Sequence, residues 1–366
     1  MSRASRGANR GANRGTILVA PDKFKGTLSA EEAALAIGRG LARGGVEAIE
    51  LLPVADGGEG TMEALVRALR GRVLATEARD ALGRPVEAAF GLVHDARVAV
   101  VEMAQASGLW RVPKPERDPE AASTHGTGDL ILAAVSSGAR EVIVAAGCSA
   151  TTDGGRGALE ALGARFKRDG ADLEPLRRTL RGVRLSVACD VRNPLLGPEG
   201  AARTFAWQKG ADADAVDRLE RRLGRWARLA RKVTGRDPAA EPMAGAAGGL
   251  AGGLWAFAGA QLRPGAVLVL DVAGFDARAR ESLAVVTGEG RLDEQTLAGK
   301  VVFEVATRSR QAGVPCYAVV GTDGLDAFER RLMNLEVEAG TRDGGTASAA
   351  DLERAAARVM RRLLGS

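Results

Sequence analysis

Twice within its first seventy residues, the chain runs from a short apolar stretch through a polar loop into a helix. Thr16-Ile17-Leu18-Val19-Ala20 is stopped by Pro21, and residues 29–43 follow with Ala33, Ile37 and Leu41 at helical spacing. Ser29 is a good N-cap there, and Glu32 three residues on completes a capping box. Ala48–Leu52 forms the second apolar run, closed by Pro53, and Thr61–Leu69 reads as the next helix. Strand, loop, helix, repeated, implies a parallel sheet with helices on its faces. The fold class is α/β.

The pattern then changes. Residues 73–101 hold several short β-type segments, including Ala96–Val101, and Pro113–Pro119 reads as an exposed loop. An apolar helical run after Gly126 leads to a buried strand at Val142–Ala146, and another strand lies at Leu185–Ala188. Residues 212–234 read as an amphipathic, arginine-rich helix, and the small-residue stretch 245–261 as a closely packed one. From Leu268 the βα alternation returns, with strands at Ser282–Thr287 and Val314–Val320 and a last helix from Ser348 to Leu364. A chain of 366 residues suits two domains. The economical arrangement is a Rossmann-like domain, discontinuous in sequence (16–80 and 276–366), interrupted by an inserted α/β domain (81–275). Residues 1–15 repeat Arg, Gly, Ala and Asn, cannot bury apolar surface, and are expected to be disordered.

Composition narrows the function. The net charge is +5, and Arg3, Arg6, Arg10 and Arg14 of the tail supply nearly all of it. The remaining charges are mixed in sign, and aromatics make up only 4%, so a nucleic-acid surface is not expected. Cys148, Cys189 and Cys316 are odd in number, far apart and set in apolar stretches, which points to reduced thiols and a cytoplasmic location. No apolar run is long enough to span a membrane. Two histidines and no nucleophile constellation argue against histidine-based catalysis.

The polar, glycine-bearing segments fall directly after expected strands, where ligands of open parallel sheets bind. They are Pro21–Thr27, Pro53–Thr61 and Thr287–Asp293. Their mixture of lysines, carboxylates and glycines suits phosphoryl transfer, which needs cations against phosphate oxygens, carboxylates for Mg²⁺ and a base near the attacking hydroxyl. Asp56, Glu59, Glu289 and Asp293 are candidate metal ligands, although Asp56 and Asp293 equally suit helix capping. Lys23, Lys25 and Thr27 stand at a strand end in reach of phosphate or carboxylate. In the middle of the chain, Ala145–Gly157 follows a strand and opens a helix, so its backbone amides suit an anion; a plain turn is the alternative. Asp190, after a further strand, is a candidate base or metal ligand.

Taken together, these segments resemble the bacterial glycerate kinase family, of the two-domain glycerate 2-kinase type. The matching segments are APDKFKGTLSA (20–30), LPVADGGEGT (52–61), ASTHGTGDLILAA (122–134) and AAGCSATTDGGRGALEALGARF (145–166). ACDVRNPLLGPEGAA (188–202), WQKGAD (207–212), GAAGGLAGGL (245–254) and TGEGRLDEQTLAGK (287–300) follow in family order. The resemblance implies phosphorylation of D-glycerate by ATP with Mg²⁺, 2-phosphoglycerate being the favoured product, in a monomer or homodimer. On that reading Asp190, Asp56 and Lys25 are catalytic, with Asp190 the base. Lys23, Gly57, Gly58, Ser149, Thr151 and Arg291 hold substrate or phosphate, and Asp293, Glu59 and Glu289 hold metal. A kinase for another small hydroxy acid, or a catalytically silent relative, is the alternative. Cys148 stands where the family has glycine, and a side chain there is expected to obstruct close backbone approach.

Overall fold

The computed structural model describes residues 15–297, 299–341 and 345–365. The tail expected to be disordered therefore lies, apart from Gly15, outside the described residues. Eleven of the described strands build two sheets. In chain order they are β1 Thr16–Pro21, β2 Ile49–Leu51, β3 Arg72–Arg79, β4 Pro85–Val93, β5 Val98–Glu102, β6 Glu141–Ala145, β7 Arg184–Cys189, β8 Gln261–Pro264, β9 Ser282–Gly288, β10 Cys316–Val320 and β11 Glu336–Ala339.

The first sheet has the order β11-β10-β9-β1-β2, and every pair in it is parallel. β1 lies between β9 and the edge strand β2, with Pro21 aligned on Gly288 of β9. A parallel strand covered on both faces must be apolar throughout, which is why TILVAP shows no alternation. The helices Ala30–Arg43 and Ala349–Gly365 cover one face, where Ile37 and Leu41 meet Leu352 and Val359. The capping box foreseen at Ser29 and Glu32 is present in full.

The second sheet has the order β8-β7-β6-β5-β4-β3. Its β5, β6, β7 and β8 run parallel, and β4 and β3 add an antiparallel hairpin. Residues 72–79, expected to belong with the first sheet, thus pair in the second, because the tight turn at Gly83 folds β3 back along β4. The helices His125–Ser136, Arg156–Ala161 and Leu250–Ala258 close one face over a core that includes Leu130, Leu159 and Leu254.

Two helices lie between the sheets. Thr61–Ala68 and Gly265–Val272 contribute Met62, Leu65, Ala266 and Val269 to a core shared with Leu18 and Val285 of the first sheet and Val100 of the second. Leu268 also packs on Ile143 and Ala188 of the second sheet. The two sheets are therefore joined by buried apolar surface as well as by chain crossings. The stretch 245–261, read from sequence as one helix, is broken. Ala247, Gly248 and Gly249 all have positive φ, and regular helix begins only at Leu250. A Cβ at Gly248 would lie 2.0 Å from the Thr151 carbonyl oxygen, so close backbone approach sets this kink.

Candidate active site

The carboxyl ends of both sheets open onto one cleft, and the loop from Pro53 to Gly60 runs through it. Gly57 has φ +90, and a Cβ on it would sit 2.7 Å from the Gly265 Cα and 3.0 Å from the Ala188 Cβ. A Cβ at Gly147 would lie 2.7 Å from the Gly58 Cα. These glycines are needed because backbone from the two sheets meets here without room for side chains. The Gly58 amide is occupied by Asp56 Oδ1 at 3.2 Å. Gly57 and Gly58, expected to bind phosphate, stand at the junction between the sheets.

Two hollows of about 330 Å³ each flank this loop. One is lined by Asp190, Arg192 and Gly265 from the second sheet's side, the other by Asp22, Glu289, Arg291 and Asp293 from the first. Lys25, Asp56 and Lys300 line both. The structure thus brings Lys25, Asp56 and Asp190 to one place, and Lys25, Asp56, Glu289, Arg291 and Asp293 to its neighbour.

The electrostatics follow from crowded carboxylates. Asp22, which sequence reasoning passed over, is buried at the end of β1; burial and then the charge of Asp56 raise its pKa well above the usual range, while the Lys23 amide bond at 2.7 Å opposes this. Asp190 is open to solvent at the mouth, while the groups packed about its carboxyl partly desolvate it. That desolvation, with Asp56 next, lifts its pKa to about 6, and Lys23 and Lys25 hold it down. Glu289 is pushed to about 7, chiefly by burial, against a 2.7 Å bond from Thr296 Oγ1 and the charges of Lys300 and Lys25. Lys23 reaches across to the Glu59 carbonyl at 2.7 Å and lies 4.0 Å from Asp56. It braces the Asp56 loop from the end of β1. Arg291 is largely exposed and stands 3.8 Å from Asp293.

Glu59, Ser149 and Thr151 take other places. Glu59 lines a third hollow, which shares Asp22, Lys23 and Lys25 with the Glu289–Asp293 hollow, and faces the Cys148 thiol at 3.8 Å. Ser149 and Thr151 are buried, because Lys209 comes up beneath their loop. Its Nζ donates to Ser149 Oγ at 2.8 Å and to the Thr151 carbonyl at 2.6 Å. Burial lowers the Lys209 pKa to about 7. These residues hold the loop up rather than line the two hollows.

Among the described residues no cluster of three or more His, Cys, Asp or Glu has the arrangement of a metal cage. Mg²⁺ asks for less: one or two carboxylates, with waters and substrate phosphates filling the octahedron. Asp22 and Asp56, hard oxygen donors close enough that the charge of Asp56 raises the pKa of Asp22, fit that demand.

A cleft at the carboxyl ends of the parallel strands of two sheets, with lysines to meet phosphate charge and carboxylates to take a hydroxyl proton or hold a cation, defines a small-molecule phosphotransferase. Residues 17–363 match the model of the Glycerate kinase family. A glycerate kinase of Bacillus subtilis is 43% identical over 329 residues, 85% of this chain and 86% of that protein. A glycerate 2-kinase of Escherichia coli is 38% identical over 323 residues, covering 84% and 85% respectively. The crystal structure of a Salmonella typhimurium LT2 protein assigned as glycerate kinase 2 superposes with a TM-score of 0.85 at 37% identity, over 96% of this chain and 98% of that one. The chain belongs to the glycerate kinase family and is an enzyme of it.

Proposed function

We propose that the protein transfers the γ-phosphoryl group of ATP to the 2-hydroxyl of D-glycerate in the cleft between the two sheets. The observation that carries this reading is the sharing of Lys25, Asp56 and Lys300 by the Asp190 hollow and the Glu289–Asp293 hollow. Two hollows with a common wall of two cations and a carboxylate suit an acceptor and a donor whose reacting atoms must meet at that wall. Asp190, with its pKa near 6, is ionised at neutral pH and accepts the hydroxyl proton as oxygen attacks phosphorus. Lys25 offsets charge on the transferring group, and Lys300 and Arg291 hold phosphate oxygens or the glycerate carboxylate. Asp22 and Asp56 would hold Mg²⁺, which neutralises charge on the nucleotide phosphates. Approach of the inserted unit to the outer one excludes water from the cleft.

The name of the Escherichia coli relative supports position 2 as the site of phosphorylation. Among the described residues no helix is long and apolar enough to cross a membrane, and Cys189 and Cys316 are buried free thiols. Both fit the cytoplasmic setting in which ATP is available. The test is ADP release by the purified protein with ATP, Mg²⁺ and D-glycerate, with and without EDTA, followed by phosphorus NMR of the product. Release that needs both glycerate and the metal supports the reading, and a resonance of 3-phosphoglycerate would overturn the position. No release at millimolar glycerate would overturn the substrate.

A further inference from the structure

We propose that Glu102 is a positioning residue for the Asp56 loop: its carboxylate, on the second sheet, caps the helix into which that loop opens and so fixes Asp56 against Asp190. The inference rests on the phosphotransfer reading above, because it assigns Glu102 a role in that site's geometry.

Glu102 is the last residue of β5 and is only 4% exposed. It is absent from the lining of both hollows, so no role in touching substrate accounts for it. A buried carboxylate needs partners, and here they are backbone amides. The helix Thr61–Ala68 starts at Gly60, whose φ is +91 and which has no side chain to serve as a cap. The Thr61 amide donates to the Gly58 carbonyl at 3.3 Å, but the Met62 amide of the first turn needs an acceptor from elsewhere. The Met62 amide donates to Glu102 Oε1 at 2.7 Å, and the nearby Gly60 amide also favours the charged carboxylate. A carboxylate at the positive end of a helix makes the stronger kind of hydrogen bond. Burial raises the pKa of Glu102; the two amides and Lys23 oppose that rise, and the Glu59 charge adds to it.

The usual local solution would be Ser, Thr, Asp or Asn at position 60. It would accept from the Met62 amide within the loop itself and leave the cap independent of the second sheet. Supplying the acceptor from residue 102 turns the cap into a link between sheets. Among the described residues no other short hydrogen bond of the loop does this. Asp56 to Gly58 and Thr61 Oγ1 to the Gly58 carbonyl, at 2.7 Å, are internal, and Lys23 to the Glu59 carbonyl comes from the first sheet; towards the second sheet the loop otherwise has the close backbone packing of Gly57 and Gly58 and the 3.8 Å contact of Glu59 with the Cys148 thiol. Asp190 follows β7, which is joined through β6 to β5, so the Glu102 link sets the distance between the two acids through hydrogen-bonded backbone.

The experiment pairs hydrogen exchange with steady-state kinetics in Glu102→Asp and Glu102→Gln. The aspartate keeps the charge but draws the carboxylate back by one methylene; the glutamine keeps the reach and one oxygen acceptor. We expect the amides at 60–62 to exchange about tenfold or more faster in Glu102→Asp, with those of Leu250–Ala258 unchanged. We expect its kcat to fall about tenfold or more with the glycerate KM within about twofold, and both readouts to recover largely in Glu102→Gln. Exchange at 60–62 unchanged in Glu102→Asp would overturn the cap. Faster exchange with wild-type kcat would overturn the positioning role and leave a structural cap alone. Failure of the function reading is told apart by the unaltered protein: it would release no ADP with glycerate, which removes the positioning role, while exchange at Met62 still reports the cap.

Discussion

Asp190 and Asp56 line one hollow from opposite sheets, and the charge of Asp56 adds to desolvation in raising the Asp190 pKa to about 6. A base must be ionised to act, so kcat/KM rises with pH through this value and levels above it. Replacing Asp190 with Asn is expected to lower kcat by about a hundred- to ten-thousandfold without loss of fold. The residual activity of Asp56→Asn should show the acid limb moved to lower pH, because a raising charge is gone. A pH profile of kcat/KM for the three proteins checks both statements; an acid limb that stays put in Asp56→Asn excludes the coupling.

Lys25 acts on the same limb with the opposite sign. Its charge lowers the pKa of Asp190 and of Glu289. In Lys25→Met the acid limb should move to higher pH, and kcat should fall about a hundredfold or more through lost stabilisation of the transferring phosphoryl group. If the variant shows a raised KM for ATP, an unchanged kcat and an unmoved limb, Lys25 binds the nucleotide and is remote from the chemistry.

Asp22 links the site to stability. Its pKa in the unfolded chain is the carboxylate value of 3.8, and burial with the nearby Asp56 raises it in the folded protein. A raised folded value means that the contribution is complete below the unfolded pKa and is lost as pH climbs through the folded one. Stability should therefore decline on going from about pH 5 to about pH 8 in the metal-free protein, and Asp22→Asn, which keeps an oxygen for the Lys23 amide, should flatten that decline. Urea unfolding at the two pH values measures it. Equal slopes for both proteins would show that Asp22 titrates in the folded state as it does in the unfolded one.

Local chemistry explains what was legible in the sequence. The Ser29–Glu32 box, the apolar run of β1 and the three loops after β1, β2 and β9 depend on neighbours a few residues away. The meeting of Lys25, Asp56 and Asp190 at one hollow was legible because each follows a strand. Contacts across the chain were not. Ser149 and Thr151 read as anion-binding from their loop, and only Lys209, about sixty residues on, shows that they are buried. Glu102 reads as the end of a strand, and its role depends on a helix forty residues earlier. The break at Ala247–Gly249 comes from the Thr151 backbone pressed against Gly248, which small-residue composition permits but does not announce.

Cys148 retains the backbone of a glycine. Its φ is +55, and the segment is pinned there by the Leu109 amide, which donates to the Cys148 carbonyl at 2.8 Å. An L-residue in this left-handed region costs about 1–2 kcal/mol, of which the greater unfolded-state freedom of glycine would offset about 0.5–1 kcal/mol. Cys148→Gly should therefore stabilise the protein by up to about 1 kcal/mol. The side chain is exposed and meets Glu59 only through a 3.8 Å thiol contact, so little packing is given up. Glycerate turnover should be retained, because the backbone path of the loop is already the one glycine prefers. Thermal unfolding and steady-state kinetics of the variant decide the matter: a lowered Tm would mean that the thiol–Glu59 contact outweighs the strain, and a lowered kcat would place the thiol in the working site.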